Sequence, residues 1–382
     1  MFGRRKLGGI LALAVLAAAC GESVGPYHRS PETPLLADVV PGSRIIALDQ
    51  SNGSLAENGT LLIKGFNPTN PHRGDAIIAT FYWVGSTNII DHVADVITTS
   101  PYTPVGNQYT LVEYVTAGGY SMATYVATNV QSFPDPNTDP GQGDILAVGA
   151  WLSEPVTDGG VTITAWSGVN SVAAYALGAH RSAAGSGSAI SAAGPGSISI
   201  GAGAFAYAVT MSNGLVGRDP PPGFSPFQVA SDAFIVAEGD FAVQSAIGSV
   251  NPQWTWYWPD SPPSTWLATV LALNPPLHLA FSVQPSTTLP LMTIAPAVRV
   301  TVLDALDQPV TTFTGQVTIA IGRNGGMLVP GTLSGTKTVN VVNGAATFSD
   351  LSIDQPGNGY TLFADVPGVF SVTSASFNIG AM

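Results

Sequence analysis

Beyond residue 36, no stretch of this chain keeps a 3.6-residue apolar period for more than two turns. From Ala37 onward, short apolar or alternating runs recur instead, and glycine, proline or an Asn-Gly pair closes each one. A side-chain period of two with frequent turn signals leaves strands as the regular element. The chain beyond residue 36 is therefore expected to be all-β.

The clearest strands of the first half are residues 76–83, 109–115, 121–127, 145–152, 161–166, 204–211, 233–237 and 266–273. Asn52-Gly53, Asn58-Gly59, Gly118-Gly119, Gly159-Gly160 and Asn213-Gly214 read as the turns between strands, because these pairs tolerate positive φ. About a dozen strands over residues 37–276 exceed an immunoglobulin-sized unit of about 100 residues and predict a large two-sheet sandwich of jelly-roll type. Asn274-Pro275-Pro276 marks its end. Residues 277–382 hold about seven further strands, with Asn343-Gly344 as a two-residue hairpin turn and Tyr360 where a tyrosine corner belongs. An Ig-like β-sandwich is expected there.

The run Leu279-Ala280-Phe281-Ser282-Val283, the run Thr347-Phe348-Ser349-Asp350-Leu351 and Gly359-Tyr360-Thr361-Leu362 resemble the Ig-like repeats of bacterial surface and secreted proteins. That resemblance covers residues 277–379 and implies a spacer or adhesive module without catalytic residues. A single copy departs from the tandem arrays usual in that class. The first half, through segments such as Gly74-Asp75-Ala76-Ile77-Ile78 and Ile163-Thr164-Ala165-Trp166, resembles functionally unassigned extracellular β-sandwich domains.

At the N-terminus, Arg4, Arg5 and Lys6 precede a thirteen-residue run from 7 to 19 that ends in Ala17-Ala18-Ala19 and then Cys20, the one cysteine of the chain. The run is too short for a bilayer core that needs about 20 residues. This segment resembles a bacterial lipoprotein signal, which implies cleavage before Cys20, acylation of that residue, and a membrane as partner through the lipid. A plain secretory signal with an incidental thiol is the alternative, since Ala17 stands where the lipoprotein pattern more often has leucine. Gly21 lacks the aspartate associated with inner-membrane retention, so the resemblance implies the outer membrane or cell surface. Residues 21–36 read as a flexible tether, punctuated by Pro26, Pro31 and Pro34.

Charge limits the partners. Loss of the three signal cations takes the formal charge from −12 to −15, which disfavours nucleic acid, whose affinity rests on phosphate neutralisation. With one cysteine there is no intramolecular disulfide, so packing alone must hold the fold.

Four of the seven tryptophans fall within thirteen residues, at Trp254, Trp256, Trp258 and Trp266. In a strand the first three share one face at a spacing of about 6.6 Å and offer a stacking row for sugar rings. The competing reading places that face in the core, with Tyr257 outward. Asp135, Asn137 and Asp139 space oxygen ligands as a calcium loop does, but Pro140 and Leu146 stand where an EF-hand requires glycine and glutamate, which favours a solvated turn.

His28, His72, His92, His180 and His278 show no paired zinc spacing, and no nucleophile elbow, phosphate loop or dinucleotide fingerprint appears in a suitable context. Asp91 with Asp95, or Asp232 with Glu238 and Asp240, would make a glycosidase pair only if folding set them about 5–10 Å apart. The expectation is a lipid-anchored envelope protein with a non-catalytic adhesion, structural or ligand-binding role and no cofactor. Its expected partners beyond the membrane are polysaccharide or surface proteins. A carbohydrate-binding protein, or a polysaccharide-active enzyme, is the alternative.

Overall fold

The computed structural model describes residues 46–67, 69–98, 103–131, 145–187, 192–214, 220–255 and 264–380. The signal and tether of residues 1–36, Cys20, the loop holding Asp135, Asn137 and Asp139, and Trp256 and Trp258 lie outside the described residues. The rest is an all-β sandwich.

Seven strands build the first sheet: β1 (Ala47–Gly65), β2 (Ala76–Val84), β3 (Ile90–Ile97), β4 (Thr103–Pro104), β5 (Thr110–Ala117), β6 (Tyr120–Ala127) and β7 (Leu146–Ser167). One helical turn, α1 (Ala173–Ala176), follows. The chain then runs through β8 (Leu177–Gly187), β9 (Ala192–Ala193), β10 (Ile198–Ile200), β11 (Phe205–Ser212) and β12 (Ser225–Ser231). It continues with β13 (Val236–Val243), β14 (Gly248–Val250), β15 (Trp254–Thr255) and β16 (Ser264–Leu273). Of these, β12-β13-β11-β16-β8 form a second, five-stranded sheet. The first sheet is complete before the second begins.

Residues 145–152 and 161–166, expected as two strands, belong to the single strand β7. Its N-terminal part pairs with β3 and with residues 61–65 of β1, and its C-terminal part pairs with β2 and with the start of β1. The first sheet thereby folds over on itself. Leu62, Phe66, Phe81, Trp83, Val148 and Ile163 fill the fold. Ile78, Met122, Trp166, Phe205, Tyr207 and Leu271 fill the space between the two sheets.

The register of β1 slips at Ser54/Glu57, Glu57/Gly59 and Gly59/Leu61, so Asn52-Gly53 and Asn58-Gly59 lie inside a bent strand and not in turns. Gly159-Gly160 also lies within β7, where a Cβ on Gly160 would stand 2.3 Å from the Ser54 carbonyl oxygen. Gly118-Gly119 does turn the chain between β5 and β6, with φ of 56° and 86°. The strand expected at residues 233–237 begins three residues later, because the Asp232 carboxylate accepts the N–H groups of Phe234 and Ile235 and holds a turn there.

β2 and β11 are buried along nearly their whole length, on both faces. Their hydroxyls find partners inside. Thr80 shares hydrogen bonds with Thr124 at 3.0 Å and with the Tyr207 hydroxyl at 2.9 Å, and the Trp166 indole donates to Thr164 at 2.8 Å.

β16 ends at Leu273, and the remaining strands join other sheets around a separate core. These are β17 (Leu277–Val283), β18 (Val298–Leu303), β19 (Gln316–Ile321), β20 (Leu333–Ser334), β21 (Thr338–Asn340) and β22 (Ala345–Phe348). β23 (Ser352–Ile353), β24 (Gly357–Tyr360), β25 (Leu362–Val366), β26 (Val369–Thr373) and β27 (Phe377–Ile379) complete them. Seven of them form the sheet β21-β19-β25-β26-β17-β18-β22, and Asn343-Gly344 closes a hairpin with φ of 50° and 77°.

Around α1, Asn170 donates to the Gly368 carbonyl at 3.1 Å and Tyr175 packs on Phe313, which joins the two bodies of strands. Tyr360 is fully buried and its hydroxyl donates to the Gln355 carbonyl at 3.0 Å, five residues upstream, the bond that defines a tyrosine corner. Replacing Tyr360 by Phe is expected to lower the stability of the C-terminal sandwich by about 1 kcal/mol, read from its urea midpoint. An unchanged midpoint would mean that the corner carries no stability.

Candidate functional site

The far face of the five-stranded sheet holds two of the expected functional groups, and it is closed. Ala206, Ala208, Ala268 and Ala272 keep that face flat, and β10, β14 and β15 add Ile198, Val250 and Trp254 to it. Trp254 is fully buried, and its indole N–H donates to Asp240 Oδ2 at 2.8 Å. It therefore has no face to offer a sugar ring, and a stacking row would have to rest on Trp256 and Trp258, outside the described residues.

Glu238 and Asp240 alternate along β13, share one face, and hydrogen-bond to each other. Both are buried and in direct contact, so no substrate or water fits between them at hydrolytic spacing. Asp232 is not part of this pair; its carboxylate is taken up by the N–H groups of Ala56, Phe234 and Ile235. Asp95 is fully buried and accepts from the Gly106 and Asn107 backbone, the Asn107 side chain and the Tyr109 hydroxyl, while Asp91 is exposed. That carboxylate organises the 105–109 loop.

Two clusters escape a linear reading because their members are far apart in sequence. Glu113 on β5 takes a hydrogen bond from Ser182 on β8 and meets His180 Nδ1 at 2.6 Å. The carboxylate is the hub, whereas a nucleophilic triad needs the imidazole between serine and acid. These bonds tie the edge of one sheet to the edge of the other. The second cluster joins Asp49 of β1 to His72 and Asp75 in the connection to β2, with His72 Nδ1 2.9 Å from Asp49 Oδ2. Burial, helped by the neighbouring Asp49 carboxylate, pushes Asp75 up to about 8. These three residues are the described group with the donor set for a metal ion.

The exposed feature that stands out lies at the end of the C-terminal sandwich away from α1. Leu289, Leu291 and Met292 project from one loop, and Met327, Leu328 and Val329 from another. Leu328 is 96% exposed and Met327 and Leu291 are 73% and 72% exposed, so these side chains stand out from the surface and do not line a groove. Both loops are strapped to the same segment: Leu291 N–H donates to the Ile353 carbonyl, Met327 N–H to that of Pro356 and Asn358 N–H to that of Gly325. Residues 286–296 and 324–336 contain no Asp, Glu, Lys or Arg. The adjacent carboxylates of Asp350 and Asp354 turn onto the backbone N–H groups of Thr336 and Thr332.

No family model and no curated protein matches this chain.

The buried pair on β13 makes a pH prediction. Burial raises Asp240 to about 7, against the opposing pull of the Trp254 and Glu238 hydrogen bonds. An unfolded aspartate titrates near 3.9, so between about 4 and 7 the folded state binds more protons than the unfolded one. The stability associated with the protonated form is present below about 4 and is lost as pH rises to about 7. Asn at position 240 cannot ionise and still accepts from Trp254. Asp240→Asn should gain stability relative to the parent between pH 5 and pH 8 in urea titrations, and a difference that stays constant with pH would refute the assignment.

Proposed function

We propose that this chain is a lipid-anchored protein of the bacterial envelope, without catalytic activity, that adheres to a lipid surface through the apolar tip of its C-terminal sandwich. The six projecting aliphatic side chains on two charge-free loops carry this reading. Monomeric proteins rarely expose contiguous large apolar groups, and such patches belong to contacts with membranes or partners. A convex tip of unbranched and branched aliphatics gives a protein partner no pocket to fill and needs no complementary shape from a bilayer. The lipoprotein-like run from Arg4 to Cys20 supports an acyl anchor at the other end of the sequence, and the Ig-like pattern of residues 277–379 supports an adhesive module.

A chain of net charge −15 once residues 1–20 are removed gains nothing from an anionic headgroup, so the contact is apolar in origin. Vesicles of phosphatidylcholine should bind the soluble chain lacking residues 1–20, and anionic lipid should not strengthen the binding. Burying one leucine stabilises by about 1.5–3 kcal/mol, so Leu291→Ser with Leu328→Ser should weaken partitioning by at least about a hundredfold. Co-sedimentation that is absent, or equal in the parent and the double variant, would remove the tip from the mechanism. In cells, the parent chain should incorporate labelled fatty acid and Cys20→Ser should not; equal labelling of the two would rule out Cys20 as the acylated residue.

A further inference from the structure

We infer that Asp49, His72 and Asp75 form a binding site for a divalent cation of the zinc class. Their ligand atoms all lie within 4.8 Å of one another, one from each side chain. A tetrahedral zinc with ligands at about 2.0–2.1 Å sets its ligand atoms roughly 3.4 Å apart, so closure asks for shifts on the order of 1 Å. The two carboxylates are not surface groups of the sort that cluster by chance, because Asp49 is 7% and Asp75 3% exposed. The two carboxylates hydrogen-bond to each other, and the basic group beside Asp49 is an imidazole, not a lysine or arginine.

The scaffold around the three is built to hold them. Asp49 is the extra residue where the β1 register slips between Leu48 and Gln50, and such a bulge turns a side chain out of the ladder. Asp75 Oδ2 accepts the backbone N–H of His72 at 2.9 Å, and the Asp75 N–H donates to the His72 carbonyl, which fixes the two relative to each other. Gly74 N–H donates to the Val130 carbonyl and Val130 N–H to that of Asp75, pinning the connection to the end of β6. Gln50 donates to Thr69, and Asn70 accepts the Leu146 N–H, so the connection is also held to β1 and β7. A site held this way loses little freedom when an ion enters.

The donor set selects the ion. One nitrogen and two carboxylates suit zinc, with the fourth position left to water on the solvent side, where the His72 side chain is 66% exposed. Calcium takes six to eight oxygens and magnesium a near-ideal octahedron of oxygens, neither of which this set supplies.

The test is isothermal titration of zinc chloride into the chain carrying Cys20→Ser, so that the thiol does not compete. One saturating equivalent and a raised thermal midpoint are expected, with binding at least about tenfold weaker in His72→Ala and in Asp49→Asn. His72 is exposed, so its removal leaves the core untouched. His92→Ala, at an imidazole stacked on Trp151 at 4.9 Å and outside the cluster, should bind as the parent does. Absence of saturable binding, or His72→Ala binding as tightly as the parent, would overturn the site. Displacement of zinc by a hundredfold excess of calcium would overturn its class.

Discussion

The layer formed by β2, β6 and the C-terminal part of β7 has protein on both faces, and the rest of the molecule is arranged around that fact. An antiparallel sheet ordinarily keeps one face in water and alternates apolar with polar residues. Here both sets of side chains must be buried. The odd positions Ile77, Ala79, Phe81 and Trp83 enter one core, while Ile78, Thr80 and Tyr82 face the second sheet. Thr80, Thr124, Thr162 and Thr164 are tolerated because each hydroxyl has a partner inside, and an unpartnered one would cost about 1–3 kcal/mol. Charged side chains have no place on such strands, and neither β2 nor β6 contains one.

That burial also decided what could be read from the sequence. Continuous apolar runs announced β2, β6, β11 and β16, because buried strands collect Ile, Val, Ala and aromatics whichever face they use. β1, β3, β8 and β12 gave no such signal. β8 reads Leu-Gly-Ala-His-Arg-Ser-Ala-Ala-Gly-Ser-Gly and is largely half-buried or exposed at a sheet edge, so composition and period both point to a loop. β1 hides behind Asn-Gly pairs that ordinarily mean turns; its bends through bulges are a tertiary requirement of a sheet that folds over itself. In the C-terminal sandwich one face of each strand is wet, and the hairpin at Asn343-Gly344 and the corner at Tyr360 were legible in the sequence.

The candidate sites follow the same division. The cluster of tryptophans was visible as composition, but the direction of Trp254 was not, since strand alternation is silent about which face is core. Asp240 beneath it gives the indole a buried partner and turns a would-be stacking residue into a cap on the alanine face of the second sheet. His72 and Asp75 stand three residues apart in a proline- and glycine-punctuated connection, a faint local cue. Asp49 lies 23 residues before His72, and only the bulge in β1 brings it there.

The tip of the C-terminal sandwich is the counterpart of the buried layers. A chain that can house apolar residues so thoroughly has no packing reason to leave Leu328 almost wholly in water. Leu289, Leu291, Met292, Met327 and Val329 are each more than half exposed, while Ile294 and Leu333, on or beside the same loops, are buried. The sorting is therefore residue by residue within each loop. Gly325 and Gly331 let the second loop approach Asn358, Ile353 and Tyr360 closely, where a Cβ would stand 2.4 Å from the Asn358 carbonyl oxygen and 2.4 Å from the Tyr360 hydroxyl. Loops held open with their aliphatic side chains outward carry an aggregation hazard. Such a hazard is offset where the exposed groups have an apolar surface to enter, which is what the proposed lipid contact would supply.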